Sequence, residues 1–344
     1  MKQDRPLLIV TSCTRNYGWV TRAFLEGNTR WADYIIIVDQ MSTDATRPLI
    51  KEYNEKRGDG IHRAEIVIVD DPDMTYKENI RAKMAFMKGR ELAAGRDAIY
   101  FALDIDEVMA ANWMQTEDGK KILASKPGDM FQLEWANIMP DGKNCNRSGW
   151  QYKVFHDNGM DWQDTGKRQM HTPLLPYTDW ELTPAEVHDF PLLHFGDFYT
   201  RWTRYKWIYY QFIEIQQRHS KSAITVYRMY QKEEKDDMVI QQIDKTWLFD
   251  DVDIIGAVDT KVTPIFAEYI KEIIAKEGIK KFQSIDVWTD EFCREIGEND
   301  PRNAGWKMLH WYLRKTQPVC KSIVCRGIDK ILKLFIMKGI CNGC

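Results

Sequence analysis

Phe101-Ala102-Leu103-Asp104-Ile105-Asp106-Glu107 sets two carboxylates one residue apart at the end of an apolar run. The run from Ala98 to Leu103 is short and β-prone, and Gly95-Arg96-Asp97 bounds it upstream, so it reads as a buried strand. On an extended segment, side chains two residues apart share a side, which places Asp104 and Asp106 together. Two hard oxygen donors at a strand end suit Mg²⁺ or Mn²⁺ held against substrate phosphates. Surface Asp-x-Asp pairs also arise by chance, so the motif needs support from elsewhere in the chain.

Support comes from an upstream segment. Tyr34-Ile35-Ile36-Ile37-Val38 is a second buried-strand run, and it empties into Asp39-Gln40-Met41-Ser42-Thr43-Asp44. A strand, a polar loop and a helix start form the mouth of a nucleotide-binding α/β unit, where ligands sit beyond the carboxyl ends of strands. Ser42, Thr43 or Asp44 is placed to cap the following helix, with Pro48 in its first turn. Asp44 thus reads equally as cap and as ligand contact, since caps and anion sites share one geometry.

The order Pro6 to Thr11, then Val38-Asp39 with Ser42-Thr43-Asp44, then Leu103-Asp104-x-Asp106-Glu107 resembles the family 2 glycosyltransferases. These are inverting enzymes of the GT-A fold, nucleotide-diphospho-sugar transferases with a mostly parallel twisted sheet flanked by helices. The resemblance spans about residues 5–200 and carries several implications. Asp39 is expected at the nucleobase or ribose, and Asp106 on the metal. Asp104 is expected at the ribose or the metal, and Arg81, in Lys77-Glu78-Asn79-Ile80-Arg81-Ala82-Lys83, near the donor pyrophosphate. A solvated helix face is the plainer reading of Arg81 and Lys83. Pro191-Leu192-Leu193-His194-Phe195, followed by Arg201, Arg204, Tyr205 and Lys206, matches a late apolar-His-aromatic segment of such enzymes, making His194 a further metal or phosphate ligand. A lone His among apolar residues also reads as a bonded core histidine.

One departure concerns the catalytic base. Many relatives carry Trp and, a few residues later, His-Glu; here Trp162 leads to His171-Thr172, and Thr cannot accept a proton at neutral pH. Asp164, Asp161 and Glu181 are the replacement carboxylates, in that order, although each also reads as a plain surface acid.

The chain has 344 residues, enough for one large α/β domain and an appendage. Its 48 basic and 51 acidic residues nearly balance, so nothing in the overall charge calls for a nucleic-acid partner. Its 13 Trp and 15 Tyr suit sugar-binding clefts, where flat CH-rich faces pack on rings; Trp150, Trp162 and Trp180 fall where acceptor contacts are expected. The donor is expected to be UDP- or GDP-linked, and the acceptor a carbohydrate, a lipid-linked molecule or a protein. After Met1-Lys2-Gln3-Asp4-Arg5 the apolar run is too short for a signal peptide, and no stretch is apolar enough to span a membrane. A cytoplasmic chain follows as the expectation. Cys13, Cys145 and Cys293 are isolated, as reduced thiols are. Cys341-x-x-Cys344 has metal-ligand spacing, but its companions Cys320 and Cys325 are separated by four residues, a poor zinc pattern.

Strand-like runs at 7–11, 35–38, 65–69 and 98–103 alternate with helical stretches at 17–29, 46–57 and 76–93, the rhythm of a largely parallel sheet. Met130–Asn137 and Trp150–His156 are shorter strand candidates among loops. Residues 1–200 are expected to form the transferase domain, and 201–344 a helical C-terminal extension. Within the extension, Trp202, Tyr205, Tyr209 and Phe212 share one helix face, expected to pack on the sheet domain. Lys232 to Asp237 reads as a solvated helix end. The tail 318–344 carries Lys321, Arg326, Lys330, Lys333 and Lys338 against Asp329, with Ile328, Ile331, Leu332, Phe335 and Ile336 at helical spacing. Such a basic amphipathic helix reads as peripheral contact with the inner face of the membrane, or as a docked C-terminal helix. Two alternatives stand beside the transferase. One is a nucleotidyltransferase, disfavoured because the loop Thr11 to Gly18 has one Gly. The other is a non-catalytic carbohydrate- or nucleotide-sugar-binding protein that keeps the fold, in view of Thr172.

Overall fold

The computed structural model describes residues 5–162, 174–176, 184–216, 221–230 and 239–341, with side chains to 334. Asp164, Glu181, His171, Thr172, Trp180, the run 232–237 and Cys344 lie outside the described residues. The chain divides into two compact units. The first comprises residues up to Tyr199 together with Val239–Val262; the second comprises Thr200–Met238 and Thr263–Cys344.

The first unit is α/β. Its strands are β1 (Leu7–Thr14), β2 (Tyr34–Asp39), β3 (Glu65–Asp70), β4 (Ala98–Ala102), β5 (Glu107–Met109), β6 (Met130–Ile138), β7 (Asn144–His156), β8 (Ala185–His194) and β9 (Ile240–Gln242). They form one sheet in the order β3-β2-β1-β4-β7-β6-β8-β5, with β9 beside β7. β3, β2, β1 and β4 pair in parallel, as β6 does with β8, whereas β7 runs antiparallel to β4, β6 and β9. The helices α1 (Gly18–Asn28), α2 (Thr46–Glu55) and α3 (Glu78–Ala93) supply the crossovers, and the short α4 (Glu117–Leu123) precedes β6.

Both faces of β1, β2 and β4 are covered, which is why these strands read as continuous apolar runs, whereas the edge strand β3 leaves Ile68 exposed. Tyr100 packs with Phe86 of α3, Ile36, Val38 and Phe155 on one face. The next residue, Phe101, points the other way and meets Trp31 and Trp113 at ring separations of 4.7 and 5.4 Å. β8 has no clear sequence signal because Pro191 interrupts it. The sheet accommodates Pro191 where the β6–β8 register shifts, between Leu133 and Trp135.

The second unit is helical: α5 (Thr200–Gln216), α6 (Ala223–Tyr230), α7 (Phe266–Glu277), α8 (Asp290–Ile296), α9 (Ala304–Thr316) and α10 (Ile323–Cys341). The aromatic face of α5 is buried as its spacing predicts, but it lines this unit's own core. Trp202 and Tyr209 pack on Phe266, and Phe212 packs on Phe282 and Trp288. Periodicity identifies the buried face of a helix, not what buries it. Among the described residues no helix is long and apolar enough to cross a membrane.

Candidate active site

The Asp-x-Asp segment is a turn rather than extended strand. β4 ends at Ala102, and the Asp104 carbonyl accepts the Glu107 N–H at 2.9 Å, which closes the turn into β5. The expectation that both carboxylates share a side of one strand is therefore corrected, because a turn separates neighbouring side chains that an extended chain would align. Asp104 is half exposed and takes the Lys153 ammonium at 3.0 Å, whereas Asp106 is buried and faces His194.

Glu107 is fully buried and anchors this corner. Its carboxylate accepts Trp135 Nε1–H at 2.6 Å, the Asp104 N–H at 2.8 Å and Lys153 Nζ at 2.7 Å. Behind it, the Asn28 side chain of α1 donates to the Glu107 carbonyl and accepts from Met109 N–H, covering the open edge of β5. Burial pushes the Glu107 carboxyl up, against the pull of Lys153. Burial alone would lower the Lys153 ammonium, but Asp104 and Glu107 outweigh it and hold this lysine above its ordinary value. Lys153 thus bridges two of the three carboxylates of the corner.

His194, at the end of β8, comes within 3.9 Å of Asp106, from Nε2 to Oδ2. Its orientation is fixed on three sides. Asn137 donates its amide N–H groups to the Asn146 carbonyl and the Ser148 hydroxyl, so its Oδ1 is the atom that accepts from His194 Nδ1, at 2.7 Å. Nδ1 then carries the hydrogen, and Nε2 is the ring nitrogen that keeps a lone pair. Trp135 stacks on the ring at 4.5 Å and 12°. Gly196 closes over the far edge: a Cβ there would lie 2.4 Å from His194 Cε1. Mg²⁺ and Mn²⁺ are commonly held by one or two protein groups plus substrate phosphates, and the buried Asp106 with the oriented His194 fits that demand. Among the described residues no three His, Cys, Asp or Glu side chains stand together as a metal cage, so Asp104 is not gathered with the pair.

The residues placed near the donor are knitted into the loops at the carboxyl ends of the parallel strands. Asp39 is fully buried, accepting from Ser42 N–H, the Ser42 hydroxyl and Arg47, which also pairs with Asp70. Asp44 accepts Thr46 N–H at 3.0 Å at the start of α2 and Gly18 N–H at 2.8 Å at the start of α1, so one carboxylate takes the first N–H of two helices. Asn16, at φ 57°, ties the same loops together through Ser42 and Thr43. Arg81 is not on a solvated face: it is buried, paired with Asp71 at 2.8 Å and bonded to the Asp73 and Thr75 carbonyls. It braces loop 71–75 beside the site. Asp161 is exposed and its charge is felt by Arg90, while Trp162 packs on Phe86 and Trp150 meets His188.

Lys153, Trp135, Asn137 and Gly196 carry no motif and escape sequence reasoning. One signal was available: a lysine between Tyr152 and Val154 in a strand whose next residues, Val154 and Phe155, are both apolar.

No known family model matches the chain, and no curated protein matches it. Among solved structures it is similar to the mannosyltransferase PcManGT from Pyrobaculum calidifontis in complex with GDP-Man and Mn²⁺. There the identity is 16% and the TM-score 0.27, over 40% of this chain and 37% of that one. It is also similar to S. aureus TarS, at 12% identity and TM-score 0.35 over 65% and 42% of the two chains. For TarS 1–349 the values are 11% and 0.33 over 90% and 88%. The chain spans less than half the length of the first two. At these values the likenesses carry no argument about activity, and the α/β architecture stands on its own strand order.

Proposed function

We propose that this chain is a divalent-metal-dependent inverting glycosyltransferase. It moves a sugar from a UDP- or GDP-linked donor to a hydroxyl of a carbohydrate, lipid-linked or protein acceptor in glycan or envelope polysaccharide synthesis. The observation that carries the reading is the oriented pair Asp106 and His194, at the strand ends where an α/β sheet binds nucleotides.

Asp106 and His194 would hold Mn²⁺ or Mg²⁺, which when bound offsets the charge that grows on a departing diphosphate. The remaining work falls to the protein. Asn137 and Trp135 keep the imidazole in one tautomer and plane. Lys153 balances Asp104 and Glu107, so the turn bearing Asp106 is held against the mutual repulsion of its carboxylates. The Asp39 and Asp44 loops shape the nucleoside end. A carboxylate of the 157–181 segment, in the order Asp164, Asp161, Glu181, takes the acceptor proton. The acceptor oxygen then bonds to the anomeric carbon as the bond to the diphosphate oxygen breaks, and the diphosphate leaves with the electron pair.

The test is Mn²⁺-dependent release of nucleoside diphosphate from a panel of nucleotide-sugars, since a working site leaks its donor slowly to water. Asp106→Ala should abolish release while the protein stays folded. Binding of a nucleotide-sugar with no release under any condition would instead identify a non-catalytic binder.

A further inference from the structure

The C-terminal helix is held to its unit through a narrow face. Arg228 of α6 pairs with Asp329 at 3.1 Å and also donates to the Leu313 carbonyl, Gln317 and Thr316. Leu332 packs against the cluster of Ile224, Tyr227 and Leu313, and Cys325 is buried. Cys325, Asp329 and Leu332 lie at i, i+4 and i+7, so one side of α10 docks and the rest of its described part, 323–334, does not.

On the undocked side Ile323, Val324, Ile328, Ile331 and Leu334 are 82, 72, 41, 56 and 57% exposed. At 100° per residue they fill one contiguous arc. Lys330, Arg326 and Lys333 continue around the helix between that arc and the docked face, with Lys321 exposed just before it. Asp329, the one acid in 318–334, is consumed by Arg228, so every exposed charge on this segment is positive. An exposed apolar arc flanked by exclusively basic charge matches an anionic bilayer surface, whose acyl boundary takes the apolar side chains and whose headgroups take the cations.

We infer that residues 319–334 form a docking surface for an anionic phospholipid bilayer, with α10 lying in the interface plane. The surface belongs to the helical unit and does not depend on the transferase reading. Sedimentation of the full chain with phosphatidylcholine vesicles, with and without phosphatidylglycerol, tests it. Binding should require phosphatidylglycerol and weaken steeply with added salt. Val324→Asp with Ile331→Asp, and separately Arg326→Glu with Lys330→Glu, should each reduce it about tenfold or more at unchanged melting temperature. Because all four side chains are exposed, folding should survive, and the salt titration of the unaltered protein stands if one variant fails. No binding to either vesicle, or equal binding to both, overturns the proposal. So does a dimer that Val324→Asp with Ile331→Asp dissociates while the vesicles stay unbound, for the face would then belong to a second copy.

Discussion

Replacing Lys153 by methionine removes the cation shared by Asp104 and Glu107. Glu107 would remain fully buried, still accepting from Trp135 and Asp104 but without a countercharge, and breaking a buried pair in this way costs about 3–5 kcal/mol. The Asp104 contact adds little, because that side chain is 47% exposed and such pairs contribute about 0–1 kcal/mol. Burial, against the pull of Lys153, already pushes the Glu107 carboxyl up to about 8, so the orphaned group relieves part of the penalty by taking a proton. Above about pH 8, where Glu107 is ionised in the unaltered protein, a loss near 3 kcal/mol should lower the melting temperature of the first unit by about 6–12 °C. A carboxyl whose folded pKa lies above its unfolded value stabilises the fold at low pH, and that contribution is lost as pH rises through the folded pKa. Below about pH 7 Glu107 carries its proton in both folded proteins, so the gap between Lys153→Met and the unaltered protein should stay level from about pH 5 to 7 and widen as pH rises from about 8 towards 10. Thermal melts across this range, with a double-mutant cycle through Glu107→Gln, make the assay. Lys153→Met melting within about 2 °C at every pH, or effects that simply add in the cycle, would refute the reasoning.

Gly196→Ala should weaken Mn²⁺ binding as severely as His194→Ala does and also lower metal-free melting, because the new Cβ overlaps a His194 ring that Asn137 and Trp135 hold in place; calorimetric titration of Mn²⁺ and thermal melts check it. Asp44→Ala should cost about 1–2 kcal/mol, as it takes the acceptor from Thr46 N–H and Gly18 N–H at the starts of α2 and α1. Lost nucleotide binding at unchanged melting temperature would instead make Asp44 a ligand contact. Arg228→Met should expose the amides of α10 to hydrogen exchange while those of β1 and β4 stay protected, since Arg228 joins α6 to α9 and α10; uniform exchange would contradict that role.

The parallel half was legible because strands covered on both faces leave continuous apolar runs, as residues 7–14, 34–39 and 98–102 do, and because β3, although an edge strand, keeps the β-branched run Ile66–Val69. The turn at Asp104–Glu107 was not, because Ile105 continues the apolar pattern and composition does not distinguish an extended pair of carboxylates from one folded across a turn. β5 and β9, three residues each, carry too few positions for any period to register. His194 stood out as a polar residue ending an apolar run, but the groups that orient it come from β6 and the loop after β8, and sheet order alone brings them together. Lys153 was hidden for a similar reason. On a strand, alternate residues face opposite sides, and only the pairing of β7 with β4 and β6 turns this lysine inward.

The proposed nucleotide-sugar site depends on a metal at Asp106 and His194. Thermal shift against UDP- and GDP-sugars, with and without Mn²⁺, tests it in the unaltered protein and in Asp106→Asn. A ligand at about 100 times its dissociation constant stabilises by roughly 2.7 kcal/mol, well within reach of the method. At least one nucleotide-sugar should raise the melting temperature only when Mn²⁺ is present, and Asp106→Asn should abolish the shift. A shift of equal size without metal or in Asp106→Asn, or none with any nucleotide-sugar, would contradict it.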